Sequence, residues 1–118
     1  MSRRRSKCWF IDARNRTITE KLCSGNLNAI YKLIGNGCTE FRNWQINGQG
    51  DCLYYDAEAL LRAQTDTSLR DMQFLHKRIA YTFIGNGFIM GTDSDGNALD
   101  VHIDLETAKR EITFWPKI

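Results

Sequence analysis

The chain lacks most of what would announce an enzyme or a membrane protein. Proline occurs once, at Pro116, so no proline-rich linker divides the 118 residues, and 13.6 kDa suits a single domain with its own hydrophobic core. No apolar run approaches the roughly 20 residues of a membrane-spanning helix. Histidine occurs twice, at His76 and His102, and none of the few serines stands in G-x-S-x-G, which leaves no nucleophile elbow. The four cysteines, Cys8, Cys23, Cys38 and Cys52, include no C-x-x-C pair, which argues against a zinc ribbon or a thioredoxin-like redox motif. They are expected to be free thiols in a reducing, cytoplasmic setting, several of them buried as small hydrophobes.

Outside the N-terminus neither sign of charge is in large excess. Arg3, Arg4, Arg5 and Lys7 are four of the 16 basic residues, so the rest of the chain carries 12 basic against 14 acidic residues. Residues 1–7 therefore read as a basic, flexible N-terminal arm, and residues 8–118 as a slightly acidic single domain. A broad basic face for nucleic acid is not indicated, although the arm by itself is a candidate nucleic-acid contact. The arginines do not open a twin-arginine export signal, because no apolar stretch follows before Asp12, Arg14 and Arg16.

Hydrophobic patterning predicts an α+β domain: about three hairpins of antiparallel sheet with two or three short helices. Cys8–Asp12 and Thr17–Leu22 form the first hairpin pattern. Leu27, Ile30, Tyr31 and Ile34 mark one face of a helix that Ser24 or Asn26 can cap and Gly35 can stop. Phe41–Ile46 and Cys52–Asp56 flank an Asn-Gly turn. Asp56 is expected to cap a short helix over Ala57–Ala63, with Leu60 and Leu61 as its apolar contributions, and Gln64–Asp71 reads as a loop. A strand is placed near Phe74–Arg78, followed by irregular chain. Phe88–Gly91 and Ala98–Ile103 flank an Asp-Gly turn, and Asp104 caps a last helix with Leu105, Ala108 and Ile112 inward. Thr113–Trp115 then adds an edge strand that Pro116 ends.

Two copies of Y-x-x-I-G-N-G stand 50 residues apart, at Tyr31–Gly37 and Tyr81–Gly87. Gly35, Asn36, Gly37, Gly85, Asn86 and Gly87 are read as structural turns, since glycine and asparagine tolerate positive φ. A weak internal repeat over about residues 27–63 and 77–111 accounts for the spacing, as does local convergence on turn chemistry. Neither copy has the G-x-G-x-x-G order of a dinucleotide fingerprint, and no cofactor is expected.

Few residue groups carry chemistry. Asp100, His102 and Asp104 would share one face of a strand, where two carboxylates and an imidazole can hold a divalent ion, or a carboxylate can orient the histidine as a base. The wet face of an amphipathic strand ending in a helix cap explains the same pattern. Asp93, Asp95 and Asn97 match the first ligand positions of a calcium loop, but Ala98 and Asp104 break the template and a hairpin is preferred. Trp9, Trp44, Tyr54 and Tyr55 are candidates for partner binding. Trp9 alternates with Phe10 and Tyr54 with Tyr55, so one ring of each pair should face outward unless both faces of the sheet are covered.

The series IDARNRTITE, LNAIYKLIGNG, GDCLYYDAEALL, IGNGFIMGTDSDGN and DLETAKREITF resembles a family of small α+β proteins of unknown function from bacteria, phages and plasmids, over about Trp9 to Phe114. The resemblance implies a cytoplasmic α+β domain of mobile-element origin and brings no catalytic residues with it. The leading expectation is a non-enzymatic interaction protein that binds a host or phage protein, in a counter-defence or regulatory role. The alternatives are a nucleic-acid-binding regulator using Arg3, Arg4, Arg5 and Lys7, and a metal-dependent hydrolase using Asp100, His102 and Asp104. A homodimer is compatible with either binding role.

Overall fold

The protein is described over residues 5–115 from a computed structural model. The larger sheet has the strand order β2-β1-β7-β4-β3, built from β1 (Ser6–Asp12), β2 (Thr17–Cys23), β3 (Phe41–Gln45), β4 (Asp51–Asp56) and β7 (Gly87–Thr92), with the two-residue β8 (Ala98–Leu99) paired to β7. The smaller sheet has the order β6-β5-β9, from β5 (Gln73–His76), β6 (Tyr81–Ile84) and β9 (Ile112–Trp115). Every pairing in both is antiparallel. Three short helices, α1 (Leu27–Ile34), α2 (Ala59–Arg62) and α3 (Leu105–Glu111), and a 3-10 turn at Thr67–Asp71 complete the α+β domain.

The alternation of side chains across the larger sheet divides the core in two. Trp9, Ile11, Leu53 and Ile89 point to one face and meet Phe74 and Phe83 of the smaller sheet, with Ala108 and Ile112 beside them. Cys8, Cys52, Tyr54, Phe88 and Met90 point to the other face, where Ile30 and Ile34 of α1 cover them. The Tyr54 and Phe88 rings stack there with centroids 4.7 Å apart. Both faces of the sheet are therefore covered, and this removes the outward ring expected of each aromatic pair.

The predicted first hairpin, α1, the second hairpin and α3 are all present. Asn26 caps α1 through the amide of Ala29 at 2.8 Å, and Asp104 caps α3 through the amide of Thr107 at 2.7 Å. Several expectations need correcting. Ser6 and Lys7, assigned to the flexible arm, belong to β1. Leu27 is 64% exposed, and the buried face of α1 is Ile30 and Ile34. α2 starts at Ala59, two residues later than expected. Asp56 still accepts the amide of Glu58 at 3.0 Å and its carboxylate also pairs with Arg62, while Ala59 and Ala63 go inward and Leu60 and Leu61 stay 65% and 63% exposed. Gln64–Asp71 contains the 3-10 turn, which buries Leu69.

The chain after β5 is a strand rather than irregular. β5 and β6 form a fourth hairpin, His76 opposite Tyr81, across a turn with no glycine, asparagine or proline. Ala80 takes φ 56° there, and its amide donates to the carbonyl of His76 at 2.8 Å. Asp100–Ile103 is not a strand, because β8 stops at Leu99. The predicted edge strand at Thr113–Trp115 is β9 on the open side of β5, and the stop assigned to Pro116 lies outside the described residues.

Candidate functional site

The most distinctive surface grows out of the core as a chain of rings. Phe74 and Phe83 stack inside the protein with centroids 5.1 Å apart, Phe83 touches Tyr55 at 4.8 Å and Tyr81 at 4.9 Å, and Tyr81 meets Trp44 at 6.3 Å. The register explains the convergence. Trp44 sits opposite Leu53 and Arg42 opposite Tyr55, so both project to the face on which the smaller sheet lies. Tyr81 opens β6 at the edge of that smaller sheet and reaches the same place. The inner rings are buried, whereas Trp44 is 44% and Tyr81 50% exposed. A narrow groove beside them is lined by Tyr55, Ala57, Leu60, Tyr81 and Thr82.

The four aromatic candidates thus have unlike fates. Trp44 is at the surface and Tyr55 is half-buried against Phe83. Trp9 and Tyr54 are buried, and this corrects their candidacy as contact residues. The Trp9 Nε1 donates to the carbonyl of Ile103 at 2.8 Å, and the Tyr54 hydroxyl lies 3.3 Å from that of Thr92. Sequence reasoning missed Tyr81, because it treated Tyr81 only as the head of the second heptapeptide.

Asp100, His102 and Asp104 do not form a shared face. Asp100 Oδ1 accepts the amide of Lys7 at 2.8 Å. His102 is exposed, and its backbone amide is held by Asp51. Asp104 is committed to the α3 cap, where the amide and hydroxyl of Thr107 hold its carboxyl below the usual carboxylate range. Among the described residues no group of three or more His, Cys, Asp or Glu is placed to hold a metal ion. Asp93 closes the β7–β8 hairpin by accepting the amides of Asp95 and Asn97, each at 2.9 Å, so the turn is filled by its own backbone.

Of the basic arm, Arg3 and Arg4 lie outside the described residues. Arg5 is exposed and lines a groove with Leu22, Ser24 and Lys32, and Lys7 sits in β1 with its ammonium 5.3 Å from the Trp9 ring centroid. All four thiols are free. Burial pushes Cys8 up to about 12 and Cys38 up to about 11, which removes both as thiolate nucleophiles at neutral pH.

The two heptapeptides are built differently. In the first, Tyr31–Ile34 is helix and Gly35, Asn36 and Gly37 take φ of 64°, 54° and 77°. In the second, Tyr81–Ile84 is strand, and of its turn residues only Gly85 has a positive φ, at 90°. Asn86 holds the first hairpin by accepting the amide of Ala13 at 2.9 Å. Positive φ is absent at Asn86 and Gly87, and Gly87 is already the first residue of β7 where a turn was expected.

No described helix is long and apolar enough to cross a membrane. Comparison with known families, curated proteins and solved structures finds no match to this chain.

Proposed function

We propose that this chain is a non-enzymatic binding module for a protein partner, contacted through the Trp44–Tyr81 surface. The observation that carries the reading is that two exposed rings meet at the surface, Tyr81 resting on the buried Phe83 and Trp44 on Tyr81. Such side chains are held in place before binding, so less conformational entropy is lost when a partner covers them. Tryptophan and tyrosine are also the residue types that dominate interface energetics. The dispersal of Asp100, His102 and Asp104 to unrelated structural tasks supports binding over hydrolysis. The resemblance over Trp9–Phe114 supports a cytoplasmic, mobile-element setting and a host or phage partner.

The test is affinity capture from bacterial lysate with the full chain, Trp44→Ala and Tyr81→Ala, each with and without nuclease. A discrete protein that survives nuclease and is lost in both variants is the expected result. Recovery that both variants retain would overturn the assigned surface. Recovery that vanishes with nuclease would overturn the protein-partner reading and move attention to the basic N-terminus.

A further inference from the structure

Among the described residues the larger sheet ends in two open strands, β2 and β3, and they are unlike. β2 carries the neighbouring charges Glu20 and Lys21, which discourage another strand from pairing. β3 carries one charge, Arg42, and all of Arg42–Gln45 is exposed. The Arg42 guanidinium makes no hydrogen bond or ion pair with the described residues.

The backbone direction of β3 follows from two bonds at its ends. The Ala57 amide donates to the Glu40 carbonyl at 2.9 Å, and the Ile46 amide donates to the Asp51 carbonyl at 3.0 Å. In an antiparallel ladder, residues two apart point their N–H and C=O groups to the same side. Glu40, Arg42, Trp44 and Ile46 therefore turn toward β4, and Phe41, Asn43 and Gln45 offer their backbone groups to the open edge.

We propose that β3 pairs antiparallel with β3 of a second copy of this chain, about a two-fold axis through Asn43. This register uses all five residues of the strand. Asn43 faces its own counterpart, and Phe41 faces Gln45, in hydrogen-bonded pairs that satisfy the outward backbone groups of both copies. Arg42 then faces Trp44 of the second copy, twice, at the closely spaced non-hydrogen-bonded positions where cross-strand side chains meet. A guanidinium over an indole is an attractive pair, and no like charges are opposed within the strand. The interface is self-complementary, as a two-fold dimer requires. It would also bring two Trp44–Tyr81 pairs onto one face of a continuous sheet. The inference does not rest on the protein-partner reading, because it is tested on the purified chain alone.

Sedimentation velocity of the full chain from about 5 μM to about 500 μM reads the result directly. A monomer–dimer equilibrium is expected. Asn43→Pro removes an outward N–H that the monomer does not use, and should weaken the dimer at least about tenfold with an unchanged far-UV spectrum. Trp44→Arg opposes two arginines twice and should also return the monomer. The exchange R42W/W44R restores an arginine opposite a tryptophan under the same axis and should recover the dimer. A monomer throughout the range, or a dimer indifferent to Asn43→Pro, would overturn the interface. A dimer lost in Trp44→Arg but not recovered by the exchange would overturn the Asn43-centred register.

Discussion

Asp51 holds His102 by its backbone: the carboxylate of Asp51, fully buried at the start of β4, accepts the amide of His102 through Oδ1 at 2.8 Å, and the amide of Ile103 through Oδ2 at 3.0 Å. The side-chain amide of Asn47 adds a third donor at 3.0 Å. This contact spans 51 residues and ties the chain beyond β8 to the start of β4. Asp51→Ala would strand buried donors, and such losses run to about 2–4 kcal/mol. Asp51→Asn, which keeps one acceptor oxygen, should cost less. Urea denaturation followed by circular dichroism measures both; an Asp51→Ala loss below about 0.5 kcal/mol would mean that these amides find other partners.

That contact also shows where sequence reasoning reaches its limit. The first two hairpins, α1 and α3 were legible because each is written locally: Asn26 and Asp104 stand at the caps, Asn47-Gly48 at a turn, and apolar residues recur at the right period. The Asp100–His102–Asp104 face was misjudged because its geometry is dictated by Asp51, a residue half a chain away that looked like part of a turn. β6 was missed because its turn is closed by Ala80 at positive φ, without the usual turn residues. Leu60 and Leu61 read as the apolar contributions of α2, but the helix is one turn long, its small alanines make the close contact, and both leucines stay exposed. Of the candidate surface only Trp44 and the half-buried Tyr55 were legible. Nothing local in the sequence says that Tyr81 lies beside them.

The two heptapeptide copies need glycine for different physical reasons. Gly37 has φ 77° and no close neighbour beyond Arg62 Nε at 3.8 Å, so conformation is what it supplies. Gly87 has ordinary φ, but an added Cβ would stand 2.7 Å from the Tyr54 carbonyl oxygen and 3.1 Å from Phe74 Cζ. Gly37→Asn should therefore be tolerated within about 1 kcal/mol, since asparagine accepts the left-handed region. Gly87→Ala should cost more than about 2 kcal/mol, because backbone and a core ring must both move. Thermal melts of the two variants decide it, and equal effects would contradict this division of roles.

Thiol accessibility should follow burial. Cys8, Cys23 and Cys52 are inside the α1-covered half of the core, and Cys38 is partly exposed after the first turn. Cys38 also donates to the Glu40 carbonyl at 3.4 Å. A thiol-reactive dye on the native protein should label Cys38 alone and slowly, because burial and the neighbouring Asp56 carboxylate both oppose its ionisation. Denaturant should release the other three. Prompt native labelling of Cys8 would show that the helix-covered core opens readily.

Acid should loosen the smaller sheet through His76. This side chain is fully buried in β5; its Nδ1 accepts the amide of Arg78 at 3.3 Å, and its Nε2 lies 3.7 Å from Glu111 Oε2. Arg78 Nε donates to the same carboxylate oxygen at 2.7 Å. Burial lowers the His76 pKa, outweighing the Glu111 carboxylate, which alone would raise it, while Arg78 adds to the lowering. The fold thus prefers neutral imidazole, and protonation would also convert the Nδ1 acceptor into a second donor facing the Arg78 amide. The unfolded chain binds a proton near the ordinary histidine value of about 6.5, so the stabilising contribution is complete above that pH. It should be lost as pH falls from about 6.5 toward the lowered folded value. The melting temperature should therefore decline between about pH 7 and pH 5 in the parent chain. His76→Asn keeps an acceptor for the Arg78 amide and cannot titrate, so its profile should be flatter across the same window. Parallel profiles for the two proteins would place the acid sensitivity elsewhere.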